Sequence, residues 1–132
     1  RLWKGRDWGP DGRLRWLSFA GIPDRNGTNW ADRYANGTIT PAALSFVQWM
    51  QTYIGFDPNG PDWPGYNSGG IMGVPKRAIT YLPVEFYARL RDQLSGSVEP
   101  EEGHYAERAW VSIFTGRARY ITKEASVCVS GQ

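Results

Sequence analysis

Three prolines set the outline of this chain. Pro41, Pro83 and Pro100 each stand just ahead of apolar residues spaced three and four apart. A proline ring fixes φ near the helical value and lacks the N–H that a helix start leaves unsatisfied, so each marks a helix start and not an interior. Behind Thr40-Pro41, Leu44, Val47, Met50 and Ile54 keep helical spacing, with Phe46, Trp49 and Tyr53 beside them, until Gly55. Behind Pro83, Phe86, Leu90 and Leu94 line one side, and Arg89, Arg91 and Asp92 the other. Behind Pro100, Ala106, Ala109, Trp110, Ile113 and Phe114 form a stripe that stops at Gly116. Gly55 and Gly116 are suited to close their helices, because glycine adopts the left-handed conformation a helix end uses. Residues 75–79 add a single helical turn behind Pro75.

Between these helices the apolar pattern changes. Residues 13–20 alternate apolar and polar positions, 71–74 are a short apolar run, and 118–122 and 126–130 are further candidate strands. The expected fold is therefore α/β or α+β, with three main helices packed on a small sheet. With 41% of 132 residues hydrophobic and 21% charged, the chain can bury a core of its own, and residues 1–132 read as one domain. It begins at Arg1, so a piece or processed product of a longer protein is expected.

Charge and composition narrow the partners. A net charge of +2, without any Lys/Arg block, gives a nucleic-acid backbone nothing to select. No apolar stretch reaches the roughly 18 residues of a membrane span, and no signal peptide is recognisable. Cys128 is the only cysteine, so no intrachain disulfide can form, and Val127-Cys-Val129 reads as a strand that buries the thiol. Asn26-Gly-Thr28 and Asn36-Gly-Thr38 are glycosylation sequons in one polar, glycine-rich stretch. They favour a secreted or secretory-lumen glycoprotein. Seven Trp and seven Tyr are many for this length. Most fill a core; exposed ones can stack on a planar or sugar-like ligand. Trp63 and Tyr66 stand in the Pro/Gly/Asn-rich stretch 57–70 and argue against plain disorder there.

The densest chemistry lies on the 100–114 helix. It carries His104, the only histidine, with Glu107 three residues on and Arg108 four residues on, so the three can share a face. The apolar stripe places His104, Glu107, Arg108 and Ser112 on the opposite side. Glu101 and Glu102 occupy the first turn, where the helix dipole alone favours carboxylates. A histidine beside a glutamate can act as an acid/base pair or as two metal ligands. Other catalytic patterns are missing: there is no G-x-S-x-G, no P-loop and no H-E-x-x-H.

Two segments resemble a family of glycosyltransferase-like proteins from fungi and bacteria. Residues 68–90, SGGIMGVPKRAITYLPVEFYARL, look like that family's small-residue strand, basic turn and Leu-Pro followed by an aromatic-rich Glu-Phe-Tyr helix. Residues 103–114, GHYAERAWVSIF, look like its histidine/glutamate helix ending in Trp and Phe. The resemblance implies the acceptor-side, C-terminal half of a nucleotide-sugar transferase fold. It implies Glu107 as the base for an acceptor hydroxyl and His104 as a ligand for metal or diphosphate. It further implies Arg108 as stabiliser of leaving-group charge, and Trp63 and Tyr66 as the platform for a carbohydrate acceptor. An intact transferase would use Mn or Mg, yet no Asp-x-Asp occurs, and the length is about half of what such a domain needs. The nucleotide-binding half is therefore expected on a missing N-terminal portion. The other reading is a non-catalytic, secreted carbohydrate-binding or self-associating structural module.

Overall fold

The computed structural model describes residues 2–15, 30–67 and 72–121. The regular elements among these residues are helices, joined by turns and extended segments. α1 is Trp30–Ala35, α2 is Phe46–Trp49, α3 is Lys76–Thr80, α4 is Val84–Leu94 and α5 is Glu101–Phe114. A π-helical turn, Met50–Ile54, continues α2.

The expected sheet is not found among the described residues. Among the described residues there is no β-strand, only the isolated bridges Trp3–Tyr66, Trp8–Leu14 and Thr40–Pro100. The α/β or α+β expectation is thus corrected to an all-helical arrangement. The described parts of the expected strands make other contacts. Leu14 is buried, but its segment pairs only once, with Trp8. Along 118–121, the Arg119 N–H donates to the last carbonyl of the π turn, Ile54 O, at 2.8 Å, and the Ala118 N–H donates to the Tyr81 hydroxyl at 3.2 Å. The ends of helices leave carbonyls without intrahelical partners, and an extended chain can satisfy itself on them without any sheet. Residues 16–20, 71 and 122–132, with Cys128 and the 126–130 strand expectation, lie outside the described residues, as does Asn26.

The helix starts are partly as expected. Pro83 and Pro100 are the N-caps of α4 and α5, and Gly116 has φ 82° beyond α5. The first long helix does not begin at Thr40-Pro41. Thr40 is bound to the start of α5: its N–H donates to Glu99 O at 3.1 Å, its carbonyl accepts from Glu101 N at 2.9 Å, and its hydroxyl donates to Val98 O at 2.7 Å. The start falls instead at Ser45, whose hydroxyl accepts from Gln48 N at 3.2 Å while Gln48 Oε1 accepts from Ser45 N at 3.1 Å. That reciprocal pair is a capping box. Gly55 ends the π turn at φ 73°, where a Cβ would also meet the Arg119 carbonyl oxygen at 2.8 Å.

α5 is the hub, packing on α2, the π turn, α3 and α4. Its Tyr105 lies 5.5 Å from the Phe46 ring and 5.6 Å from Trp49, and Ile113 and Ala109 are fully covered. Trp8 extends this aromatic core toward the N-terminus, 5.0 Å from Phe46 and 5.1 Å edge-on from Trp63. Burying rings of this size contributes about 1.5–3 kcal/mol each, so the aromatics are the main cohesive element. The buried stripe of α5 is broader than its apolar residues alone: Arg108 and Ser112, expected on the open side, are buried, while Trp110 and Phe114 are only partly covered. Arg89, also expected outward, turns in against the rings of Tyr53 and Tyr120. Among the described residues no helix is long and apolar enough to cross a membrane.

Candidate functional site

On α5 the helical spacing does bring His104, Glu107 and Arg108 to one flank. Arg108 is its centre. Its Nε and Nη2 both reach Asp7 Oδ2 at 2.7 Å, and its Nη1 donates to the His104 carbonyl at 2.9 Å. Glu107 Oε1 stands 3.6 Å away. The guanidinium also lies 5.2 Å from the centre of the Tyr66 ring, whose hydroxyl donates to the same Asp7 oxygen at 3.2 Å. Burial, only partly offset by Arg108, raises the Tyr66 phenol to about 12. Arg108, at 8% exposure, therefore clamps the N-terminal segment onto α5 and faces carboxylates on two sides.

His104 looks the other way along the flank. Its Nε2 is 3.5 Å from Glu99 Oε1, an oxygen that also lies 3.6 Å from Arg33 Nη1. Burial and the nearby Arg108 charge lower the imidazole below 6.5, against the opposing pull of Glu99 and Glu107. The neutral imidazole is favoured accordingly. Glu99 itself has φ 36°, a region a non-glycine residue occupies only when its surroundings hold it there. Here its carbonyl accepts from Thr40 N.

A divalent metal does not suit this donor set. Among the described residues no group of three or more His, Cys, Asp or Glu side chains is arranged to hold one. Glu99, the carboxylate 3.5 Å from His104 Nε2, is shared with Arg33.

Trp63 and Tyr66 stand elsewhere than on an open platform. Each is 8% exposed. The Trp63 indole N–H donates to Gly5 O at 3.3 Å, and its ring is held edge-on by Trp8 and Phe46. Tyr66 exchanges two 2.8 Å backbone hydrogen bonds with Trp3. Both rings serve to fasten the N-terminal segment. Asn36 is exposed just past α1, and its Oδ1 accepts from the Thr38 N–H at 3.0 Å and the Thr38 hydroxyl at 2.6 Å.

Described residues line grooves at two places on the surface. One, about 190 Å³, is lined by Met72, Val74, Trp110 and Phe114, the last two rings stacked 5.6 Å apart and within 5° of parallel. The other, about 350 Å³, is lined by Gln51, Gly55, Phe56, Asp57, Arg119 and Ile121. Small-molecule sites generally run roughly 300–1,000 Å³ and combine apolar walls with a few convergent polar groups. The second groove meets both conditions and the first neither. Sequence reasoning missed it because Arg119 comes from a segment 62 residues beyond Asp57 in the chain. The available signal was Gly55-Phe56-Asp57, an aromatic and a carboxylate directly after a helix-ending glycine.

Comparison of the chain with protein-family models, with curated proteins and with solved structures finds no match. Nothing in those comparisons bears on the glycosyltransferase-like resemblance.

Proposed function

We propose that this chain is a non-catalytic carbohydrate-binding module, with its ligand in the groove of Gln51, Phe56, Asp57 and Arg119. The observation that carries the reading is that this 350 Å³ groove sets one aromatic ring among three hydrogen-bonding side chains. A sugar offers an apolar C–H face and a rim of hydroxyls. The partly covered Phe56 ring suits the face. Asp57 accepts from hydroxyls, Arg119 donates to them, and Gln51 does either.

Transfer chemistry is the weaker reading for two reasons. The sheet that a nucleotide-sugar transferase half would bring is absent among the described residues. Arg108, which the resemblance makes a stabiliser of leaving-group charge, already serves Asp7 through both nitrogens. Asn36, exposed within its sequon, is compatible with a secreted glycoprotein.

The test is calorimetric titration with a panel of neutral and acidic oligosaccharides. The expected result is binding by the wild type, retained in Glu107→Gln and lost in Phe56→Ala and Asp57→Ala. Binding that survives both groove substitutions, or no binding by the wild type, overturns the reading.

A further inference from the structure

Among the described residues, Arg108 and Arg89 each lay a guanidinium on tyrosine rings, and of these two Arg108 is the one with a carboxylate partner. In the completed case, Arg108 lies over Tyr66, and its side-on edge, Nε with Nη2, is filled by Asp7 at 2.7 Å. In the other, Arg89 is flanked by two rings, 4.7 Å from the centre of Tyr120 and 5.7 Å from that of Tyr53. Its Nη1 donates to the Ile121 carbonyl at 2.6 Å. Its Nε and Nη2 are shielded from solvent and meet no hydrogen-bond acceptor among the described residues.

The two tyrosine rings attract the positive charge. They do nothing for the N–H groups, which point outward in the guanidinium plane. A buried charged donor without an acceptor is among the costliest arrangements a fold can hold. The same edge is the one that matches a carboxylate with two parallel hydrogen bonds. We infer that the Nε–Nη2 edge of Arg89, framed by Tyr53 and Tyr120, is a binding site for a carboxylate supplied by a ligand.

Arg89 is set up for this role. It sits in the middle of α4, one residue before the buried Leu90, so its backbone is fixed. Both rings and the Ile121 carbonyl hold the guanidinium in one orientation before any ligand arrives, which lowers the entropic cost of binding. The site is separate from the reading of the groove as a sugar site, although Ile121 borders both. A carboxylate from a free organic acid and one carried on an acidic sugar share the recognition chemistry, and the probes below distinguish them.

The experiment uses the full chain labelled with ¹⁵N, titrated at constant ionic strength with acetate, with glucuronate and, as control, with chloride. The expected result is a saturable shift of the Arg89 Nε–H resonance with acetate or glucuronate and none with chloride. Glucuronate binding more tightly than acetate assigns the source to an acidic sugar; equal binding assigns it to a simple carboxylate. Arg89→Lys keeps the charge but loses the planar fork, and weakens binding by about tenfold or more. Arg91→Gln, whose parent side chain is 72% exposed, leaves it unchanged. The resonance experiment reads the wild type alone, so it decides the matter even if Arg89→Lys fails to fold. An Nε–H signal that does not move with either carboxylate, or equal binding by Arg89→Lys, overturns the site.

Discussion

If Arg108 is a clamp and not a catalytic group, removing it has a structural cost that can be worked out. Its side chain is 9% exposed and that of Asp7 is 21% exposed, with both nitrogens at 2.7 Å from one oxygen. Removing one member of a buried ion pair costs roughly 3–5 kcal/mol, because the other charge is left uncompensated. The partial exposure of Asp7 lowers this to about 2–4 kcal/mol. Arg108→Met also loses the contact with the Tyr66 ring, about 0.5–2 kcal/mol. Asp7→Ala strands a guanidinium, Arg108→Met strands a carboxylate, and the double variant strands neither. Its cost should therefore fall short of the sum of the singles by about 2 kcal/mol, the coupling of a direct pair. The assay is urea unfolding of the four proteins, followed by tryptophan fluorescence. Single variants within about 0.5 kcal/mol of wild type, or costs that simply add, would refute the clamp.

Other outcomes follow from the same geometry. Glu101, 2% exposed, accepts from Ala42 N at 2.9 Å and from the Tyr34 hydroxyl at 2.6 Å. Glu101→Gln turns an N–H₂ toward one of those donors, which should cost about 1–3 kcal/mol in chemical unfolding. Gly103 is exposed in the first turns of α5, and a Cβ there meets nothing within 4 Å. Gly103→Ala should stabilise by about 0.5–1 kcal/mol, read as a higher thermal midpoint. The folded His104 imidazole is held below 6.5, so on acidification the unfolded chain takes up that proton first. Its contribution is intact above 6.5 and is lost as pH falls through that value toward the folded one. The wild type should thus lose more stability than His104→Gln between about pH 7.5 and 5.5, and equal losses would contradict the burial argument.

What the sequence disclosed was what neighbours in the chain decide. The Pro83 and Pro100 starts and the Gly55 and Gly116 ends were legible because proline and glycine act on their own backbone. The Ser45–Gln48 capping box was legible too, but the stronger-looking Thr40-Pro41 masked it, and Thr40 is bound to residues 98–101. Residues 118–121, expected to be a strand, bond instead to a helix end and a tyrosine, a choice no local pattern records. The flank shared by His104, Glu107 and Arg108 followed from helical spacing. Its meaning did not, because the residue that fixes Arg108 lies 101 positions away. Trp63 and Tyr66 stood in a long polar segment that suggested exposure, whereas their partners are Gly5, Trp3 and Asp7.

The proposal that the chain binds sugars without transferring them is tested most directly by a transfer assay. The chain is incubated with a panel of nucleotide sugars, Mn²⁺ and oligosaccharide acceptors, and the released nucleoside diphosphate is measured for wild type and Glu107→Gln. The account predicts release no faster than in buffer, and the same for both proteins. Release by the wild type that disappears in Glu107→Gln would contradict it.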